Sequence, residues 1–492
     1  MMGVVVLIFY IFSLLFFLFY SLLQGHILLA YKALKAKKNV TCDPDIELSN
    51  YPAVTIQLPI FNERYVASRL LDAIAHIDYP KQCIDIQVLD DSTDDTGTIV
   101  ASQVTLLKQQ GFHIEHITRS NREGFKAGAL KAGLESAKGE FIAIFDADFI
   151  PCPLFLKKTL CWFEQATIGV VQTRWGHINR NFSLLTKLQA MALDAHFSME
   201  QSVRDANNYF LNFNGTAGVW RKSCILDAGN WKGNTLTEDL DLSYRAQLKG
   251  WKIKYLEDVV SPAELPVNIS AIRSQQFRWT KGGAQNFLLN AKKIRQSNIT
   301  KTQKLQALYH LFNSTTFVIV FLMAVVSIPV MMLYGHEQSN ELLRNIGLVF
   351  LLPTLILFLY YSVPYFSIEK GNKNFLTYLY HFFFFMVFMM GLSLSNTIAV
   401  IEAYLGIQSS FIRTPKFNIG SEDKKSVKNI YIRKKMSVLN LLEGLFAIVF
   451  MLAVGYELYH EIYGFLYFHL TLALGFSTFF ILTLKEYFNT AK

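Results

Sequence analysis

Residues 2–31 carry no Asp, Glu, Lys or Arg and are almost wholly apolar. That is enough to cross a bilayer, for which about 20 residues suffice. Apolar runs return near 309–334, 345–367, 375–405, 438–458 and 463–484. Any soluble domain must therefore come from the polar stretch between the first run and the others. A cleaved leader fits the first run badly: no basic region precedes it, the apolar core is long, and no small-x-small site follows. Lys32, Lys35, Lys37 and Lys38 come straight after it, and basic residues flanking a span face the cytoplasm. Residues 1–31 are expected to be a signal anchor.

The chain is 52% hydrophobic and only 17% charged, with 41 Phe, and its mean hydropathy is +0.26. This excludes a purely soluble protein. The formal charge of +9 invites a nucleic-acid reading, but much of the excess lies beside apolar segments. In 413–435, Arg413, Lys416, Lys424, Lys425, Lys428, Arg433, Lys434 and Lys435 face only Glu422 and Asp423. That placement reads as cytoplasmic topology and attraction to membrane lipid, with no nucleic acid. Cys42, Cys83, Cys152, Cys161 and Cys224 form no CxxC pair and read as reduced thiols.

If the polar domain and the basic tract are both cytoplasmic, an even number of crossings separates them, yet three apolar runs intervene. The run 375–405 is long and carries Asn396 and Glu402, so it is expected to be interfacial or re-entrant. The expected layout has five crossings in an integral membrane protein of a plasma, inner or Golgi-type membrane. It runs from the anchor (1–31) to a cytoplasmic domain with interfacial helices (32–306), then two spans (307–370). The interfacial segment and basic loop (371–437), two more spans (438–484) and a cytoplasmic tail (485–492) complete it.

Within the polar stretch, Val54–Leu58, Ile84–Leu89, His113–Ile117 and Phe141–Phe145 are short apolar or β-branched runs. Helix-length segments near 63–77, 94–110 and 125–137 separate them. Such alternation predicts an α/β domain with a parallel sheet, in which ligands bind at the carboxyl ends of the strands. Pro59-Ile60-Phe61-Asn62-Glu63, Asp90-Asp91-Ser92-Thr93-Asp94 and Asp146-Ala147-Asp148 each fall where a strand stops. Three polar clusters at one sheet edge make a site. The region 150–306 is less regular, and Phe182–Arg204 reads as an amphipathic helix suited to a membrane surface.

Each motif has a plainer alternative. Asp146 and Asp148 suit Mg²⁺ or Mn²⁺, which also hold phosphate oxygens, although chance DxD matches are common. The Asp90–Asp95 cluster is also a natural helix start. Asn121–Leu130 sets Arg122 and Lys126 beside glycine at a helix start, an anion site or simply a capped helix. Thr237-Glu238-Asp239 is favoured in a first helical turn by the helix dipole, and one carboxylate there can also act as a general base. Asn212–Gly218 is loop-forming, and its amides and hydroxyl suit an acceptor groove. Gln275-Gln276-Phe277-Arg278-Trp279 reads as an interfacial anchor or as a grip, with indole on a sugar face and guanidinium on phosphate.

Taken in order, these motifs resemble inverting family 2 glycosyltransferases of the cellulose synthase group, nearest to the mannan and glucan synthases. The resemblance rests on Leu89–Asp94, Lys126–Leu130, Asp146–Asp148, Gln172–Trp175, Phe213–Arg221, Thr237–Asp239 and Gln275–Trp279, and covers about residues 50–285 closely. It implies a GT-A-type, Rossmann-like domain set between transmembrane helices. It assigns Asp239, with Glu238 beside it, as catalytic base. Asp90, Asp91, Glu63, Lys126 and Asp146 would bind the nucleotide sugar, and Asp146 and Asp148 the Mg²⁺ or Mn²⁺. Gln275, Arg278, Trp279, Asn214, Thr216 and Trp175 would line the acceptor and diphosphate site. Phe411, Thr414 and Lys416 resemble the family's gating loop, with Arg413 where Val is usual. Asn214 stands where cellulose synthases proper carry Cys, which favours the mannan and glucan branch.

The implied activity is processive, inverting elongation of a β-glucan or β-mannan from a UDP-glucose- or GDP-mannose-class donor onto a growing polysaccharide. The alternative is a single transfer to a lipid carrier or glycolipid.

Overall fold

The computed structural model describes residues 2–36, 51–334, 341–368, 374–409, 412–420 and 436–489. Seven strands form one sheet: β1 (Val54–Ile60), β2 (Ile84–Asp90), β3 (His113–Thr118), β4 (Phe141–Ile144), β5 (Ile168–His177), β6 (Gly218–Arg221) and β7 (Lys252–Ala263). Their order is β3-β2-β1-β4-β6-β5-β7. The first four strands are the four expected from sequence, paired in parallel. β1 and β4 are almost wholly buried, as continuous apolar runs require when both faces are covered. Helices α2 (Ala67–Ala75), α3 (Thr96–Gln109) and α4 (Phe125–Ser136) supply the crossovers.

Three further strands lie in the stretch that read as less regular. β6 runs antiparallel between β4 and β5, and β7 returns parallel to β5 with register shifts at Ile168/Val170 and Thr173/Arg174. An antiparallel insert and a bulged pair break the βαβ rhythm that made the first half readable. β1 is flanked by β2 on one side and by β4 on the other. The crevice at that reversal is where open α/β sheets bind ligands.

Two helices matter for the site. α5 (Leu184–Asp194) continues through a π-helical turn, Ala195–Glu200, into Gln201–Ala206. Ala195, Met199 and Val203 on this run pack against Ile27, Leu28 and Tyr31 of helix α1 (Met2–Ala36). After α6 (Glu238–Leu248) comes α7 (Ile269–Gln296), which carries the Gln-Gln-x-Arg-Trp residues.

The rest is helical: α8 (Thr316–Tyr334), α9 (Glu341–Ile368), α10 (Phe375–Tyr404), α11 (Val438–Tyr459) and α12 (Leu466–Asn489). Among the described residues, six helices are long and apolar enough to cross a membrane: α1, the run 301–334 that contains α8, and α9 to α12. α10 differs from the others. The most apolar window of α10 is 78% buried, against 22–50% for the other five. It runs unbroken for 30 residues, a single helix and not a re-entrant hairpin. Cys83, Cys152, Cys161 and Cys224 are free thiols; Cys42 lies outside the described residues.

α7 is tied to this helical part at three points. The Glu486 carboxylate accepts the Ile269 N–H at 2.6 Å. Arg273 pairs with the fully buried Glu443 of α11 at 2.8 Å. Lys281, itself fully buried, pairs with Glu402 of α10 at 2.6 Å. Removing one partner of a buried pair costs about 3–5 kcal/mol, whereas replacing both with apolar groups is often neutral. Arg273→Met is therefore expected to lower unfolding stability in detergent by about 3 kcal/mol. The double change Arg273→Met with Glu443→Leu is expected to recover most of that loss, read by thermal unfolding of the purified protein.

Candidate active site

A cavity of about 180 Å³ opens at the β1/β4 crevice. Every expected site residue lines it except Asp90, Thr216 and Phe411. Phe411 lies outside the described residues. Asp90 is buried behind the wall, where one oxygen accepts the Ser92 N–H at 2.9 Å and the other meets His116 Nε2 at 2.8 Å. Thr216 is also buried, and its hydroxyl accepts the Asp146 N–H at 2.8 Å. In this structure both residues shape the wall from behind.

The carboxylates are held by partners distant in sequence. Asp91 takes the Arg119 guanidinium, with Nε at 2.9 Å, while Arg119 also donates to the carbonyls of Glu123 and Phe125 at 3.0 Å. This fixes the loop leading into α4. The Arg122 guanidinium lies 3.3 Å from the Phe61 ring centroid, and both line the cavity. Lys126 pairs with Asp146 and donates to the Gly215 carbonyl at 2.9 Å. Burial disfavours its charge, but Asp146 and Glu238 more than compensate, and its pKa is raised.

Asp148 pairs with Lys416 at 2.7 Å. Lys416 belongs to the segment 412–420, which is docked into the cavity mouth. Arg413 forms a bidentate pair with Glu63 at 2.8 and 2.7 Å, and the Glu264 carboxylate accepts the Phe417 and Ile419 N–H groups at 2.7 and 3.3 Å. Burial pushes Glu63 up to about 7 despite Arg413. Thr414 lines the cavity, and its buried hydroxyl has no partner among the described residues. Neither the Arg413–Glu63 pair nor the role of Glu264 was visible in sequence, because the pairing residues are about 350 and 150 positions apart.

Asp239 opens α6 beside Glu238. Burial and the neighbouring Glu238 charge push its carboxyl well above the usual range, opposed by Lys126 and Arg278. Gly215, at φ +80°, brings backbone close: a Cβ there would lie 3.0 Å from Asp239 Oδ2. α7 approaches from the other side. Gln275, Arg278 and Trp279 recur at i, i+3 and i+4 and so share one face, and all three line the cavity. A Cβ on Gly282 would lie 2.5 Å from Thr237 Cγ2, so only glycine lets α7 sit this close to the Thr237–Asp239 turn. Trp279 and Trp175 stand 6.4 Å apart, centroid to centroid.

A second cavity, of about 420 Å³, adjoins the first. The two share Trp175, Asn214, Thr237, Asp239 and Trp279. From there it extends among aromatic side chains of α1, α9 and α10, including Tyr20, Tyr360 and Phe385.

Asp146 and Asp148 are the candidate metal ligands. Among the described residues no three His, Cys, Asp or Glu converge, so further ligands would have to come from phosphate or water, as is usual for Mg²⁺. The donor set fits a hard cation in kind, two carboxylates lining one cavity, and such an ion would compete with the lysine ammonium that each now pairs with.

A mixed sheet with carboxylates at its strand ends and the Thr237–Asp239 turn facing them is the GT-A-type arrangement expected from the sequence. The model of the family described as "Glycosyltransferase like family 2" matches residues 52–282. Glucomannan 4-beta-mannosyltransferase 7 of Arabidopsis thaliana is 33% identical over 462 residues, covering 90% of this chain and 79% of that one. The chain belongs to glycosyltransferase family 2, among the cellulose-synthase-like relatives.

Glucomannan 4-beta-mannosyltransferase 1 of Oryza sativa subsp. japonica is 42% identical over 276 residues, 55% of this chain and 53% of that one. The chain thus spans about half the length of the first such curated relatives it matches. Among solved structures, the mannosyltransferase PcManGT from Pyrobaculum calidifontis in complex with GDP-Man and Mn2+ has a TM-score of 0.49 at 19% identity, covering 75% of this chain and 99% of that one. That likeness is too distant to carry residue roles across.

If Glu63 anchors the 412–420 segment, Glu63→Gln is expected to weaken the hold on Arg413. Hydrogen exchange at the Phe417 and Ile419 amides should then speed up by roughly tenfold or more, the scale of one charged hydrogen bond, while exchange in β1 and β4 stays unchanged.

Proposed function

We propose that this protein is a membrane-embedded, processive, inverting glycosyltransferase that elongates a β-linked polysaccharide of the mannan or glucan type. The observation that supports it most is the meeting of two cavities at Asp239 and Trp279. One is lined by acidic strand ends and cations; the other is aromatic and runs among apolar helices. A donor and a growing chain would meet at Asp239, the carboxylate that lines both. The relatives' names point to mannosyl transfer onto glucomannan, so the donor proposed is of the GDP-mannose class, with UDP-glucose as the alternative.

Asp239, raised towards neutrality, would take the proton from the acceptor hydroxyl as that oxygen attacks the anomeric carbon. One displacement inverts the centre without a covalent intermediate. Lys126, Arg278 and the docked Lys416 would balance charge on the departing diphosphate, and Thr414 offers a hydroxyl to it. Asp91 and Arg122 would frame the nucleoside, and Trp279 would stack on the acceptor sugar. Asp146 and Asp148 would hold Mg²⁺ or Mn²⁺, which supplies charge neutralisation to the diphosphate.

The proposed topology has five crossings, with α10 along the cytoplasmic interface. The burial of α10, the Lys281–Glu402 pair and the docking of 412–420 against the sheet domain support it. A cysteine placed at 420 should be unreactive to impermeant reagent from the outer face. Labelling there would overturn this topology.

Vesicles exposing the domain, given GDP-mannose or UDP-glucose with Mn²⁺ or Mg²⁺, are expected to make polymer. Chloroform-extractable product of one added sugar would favour the lipid-carrier reaction instead. Asp239→Asn should abolish synthesis, by roughly a thousandfold or more on the scale of general-base removal combined with proximity effects. Trp279→Ala should cut polymer yield while leaving nucleotide binding largely intact.

The pH profile supplies a further check. The base works only when deprotonated, so a raised Asp239 pKa places the acid limb of kcat above that of a free aspartate. Glu238→Gln removes the repelling charge and should move that limb to lower pH.

A further inference from the structure

The second cavity mixes aromatic with polar lining residues, among them His196, Glu200, Asn212 and Asn214. None of the motifs discussed above includes His196 or Glu200. Both lie on the π-helical turn 195–200, a wide turn that is rare in proteins and recurs at functional sites. The turn delivers a relay of three side chains. Arg204, almost wholly buried, donates to the Phe210 carbonyl at 3.1 Å and pairs through Nε with one Glu200 oxygen at 3.0 Å. The other Glu200 oxygen meets His196 Nδ1 at 3.0 Å. Burial opposes the Glu200 charge, but Arg204 and His196 outweigh it and hold the carboxyl well below its usual range.

That relay fixes the imidazole and presents its other nitrogen. His196 Nε2 stands 3.3 Å from both Asn214 Oδ1 and Gln201 Nε2, long contacts for a nitrogen, and Asn214 lines both cavities. The ring packs edge-on against Phe197, which stacks on Trp175 at 4.7 Å, the partner of Trp279. His196 therefore has a carboxylate-anchored nitrogen behind it, a shared acceptor-site amide in front, and an aromatic chain to the indole pair beside it. A histidine ligand oriented by a carboxylate behind it is a recurring way to hold a polar contact at fixed angle.

We propose that His196, oriented by Glu200 and Arg204, is a positioning residue for the acceptor. Resting on the synthase reading above, its Nε2 exchanges the 3.3 Å contacts to Asn214 and Gln201 for a hydroxyl of the growing chain on the membrane side of Asp239, and so sets how the terminal sugar is rotated towards the base. It lines only the second cavity, so its effect falls on acceptor and not on donor.

The test uses the full chain in nanodiscs and short β-1,4-linked manno- and gluco-oligosaccharides as probes, with His196→Ala, His196→Gln and Glu200→Gln. Binding is read by tryptophan fluorescence, turnover by product and by released free sugar. His196→Ala is expected to raise oligosaccharide Kd and acceptor KM roughly tenfold, the scale of one hydrogen bond to a charged or strongly polarised group. It should also raise the share of donor hydrolysed instead of transferred, with donor Kd within about twofold of wild type. Glu200→Gln, which frees the ring, should move the same readouts in the same direction.

Unchanged acceptor KM and hydrolysis share in His196→Ala would overturn the proposal, as would a parallel loss of donor and acceptor binding. Should His196→Ala fail to fold, His196→Gln carries the same test. If the wild-type protein binds no oligosaccharide the proposal fails. If it binds them in a His196-dependent way but extends none, the subsite stands and the synthase reading fails.

Discussion

Charge taken out of water has to be matched, and this requirement organises the domain. Glu63, Asp91, Asp146, Asp148, Glu238, Asp239 and Glu264 all reach one cavity. Left unmatched, so many carboxylates would repel and shed their charge by taking up protons. The fold matches them by bringing cations from remote segments: Arg119 to Asp91, Lys126 to Asp146, Arg413 to Glu63 and Lys416 to Asp148. Asp239 is less directly matched, since Glu238 stands beside it and Lys126 and Arg278 only partly oppose the effect of burial. That imbalance is what suits a carboxylate to accept a proton.

The same pairing logic joins the sheet domain to the helices. α7 presents Arg278 and Trp279 to the cavity, while Arg273 and Lys281 on the same helix reach Glu443 and Glu402. Lys281 also donates to Ser409, just before the docked segment 412–420. One helix thus connects the cavity-lining indole, the apolar helices and the root of the segment that covers the strand ends.

Much of this was legible in sequence where the signal is local. β1 to β4 and their crossovers follow from apolar runs spaced by helix-length segments, and the strand-end position of Asp91, Asp146 and Asp148 follows from that. The spacing of Gln275, Arg278 and Trp279 places them on one helical face. What stayed hidden depends on distance. Asp90 and Asp91 are adjacent, and only the structure separates the one held inside by His116 from the one at the cavity. Thr216 resembles a groove residue but buttresses Asp146 from behind. Glu264, on the β7 side, carries no motif, and Arg413 shows only as a departure from the usual gating-loop residue until Glu63 appears opposite it. β5, β6 and β7 were missed because an antiparallel insert and a bulged pair break the strand–helix alternation that marks β1 to β4.

The approach of Gly282 to Thr237 has a wider consequence. With no room for even one methyl group at Gly282, the helix bearing Trp279 and the turn bearing Asp239 are packed as closely as these side chains permit. The spacing of Trp279 from Asp239 is therefore set by the scaffold. Diversification towards another sugar or another linkage is confined to repainting the walls, at positions such as Trp175, Asn214 or the aromatic lining of the second cavity. A lineage or an engineer can alter what the chamber holds, but not how far apart it holds it.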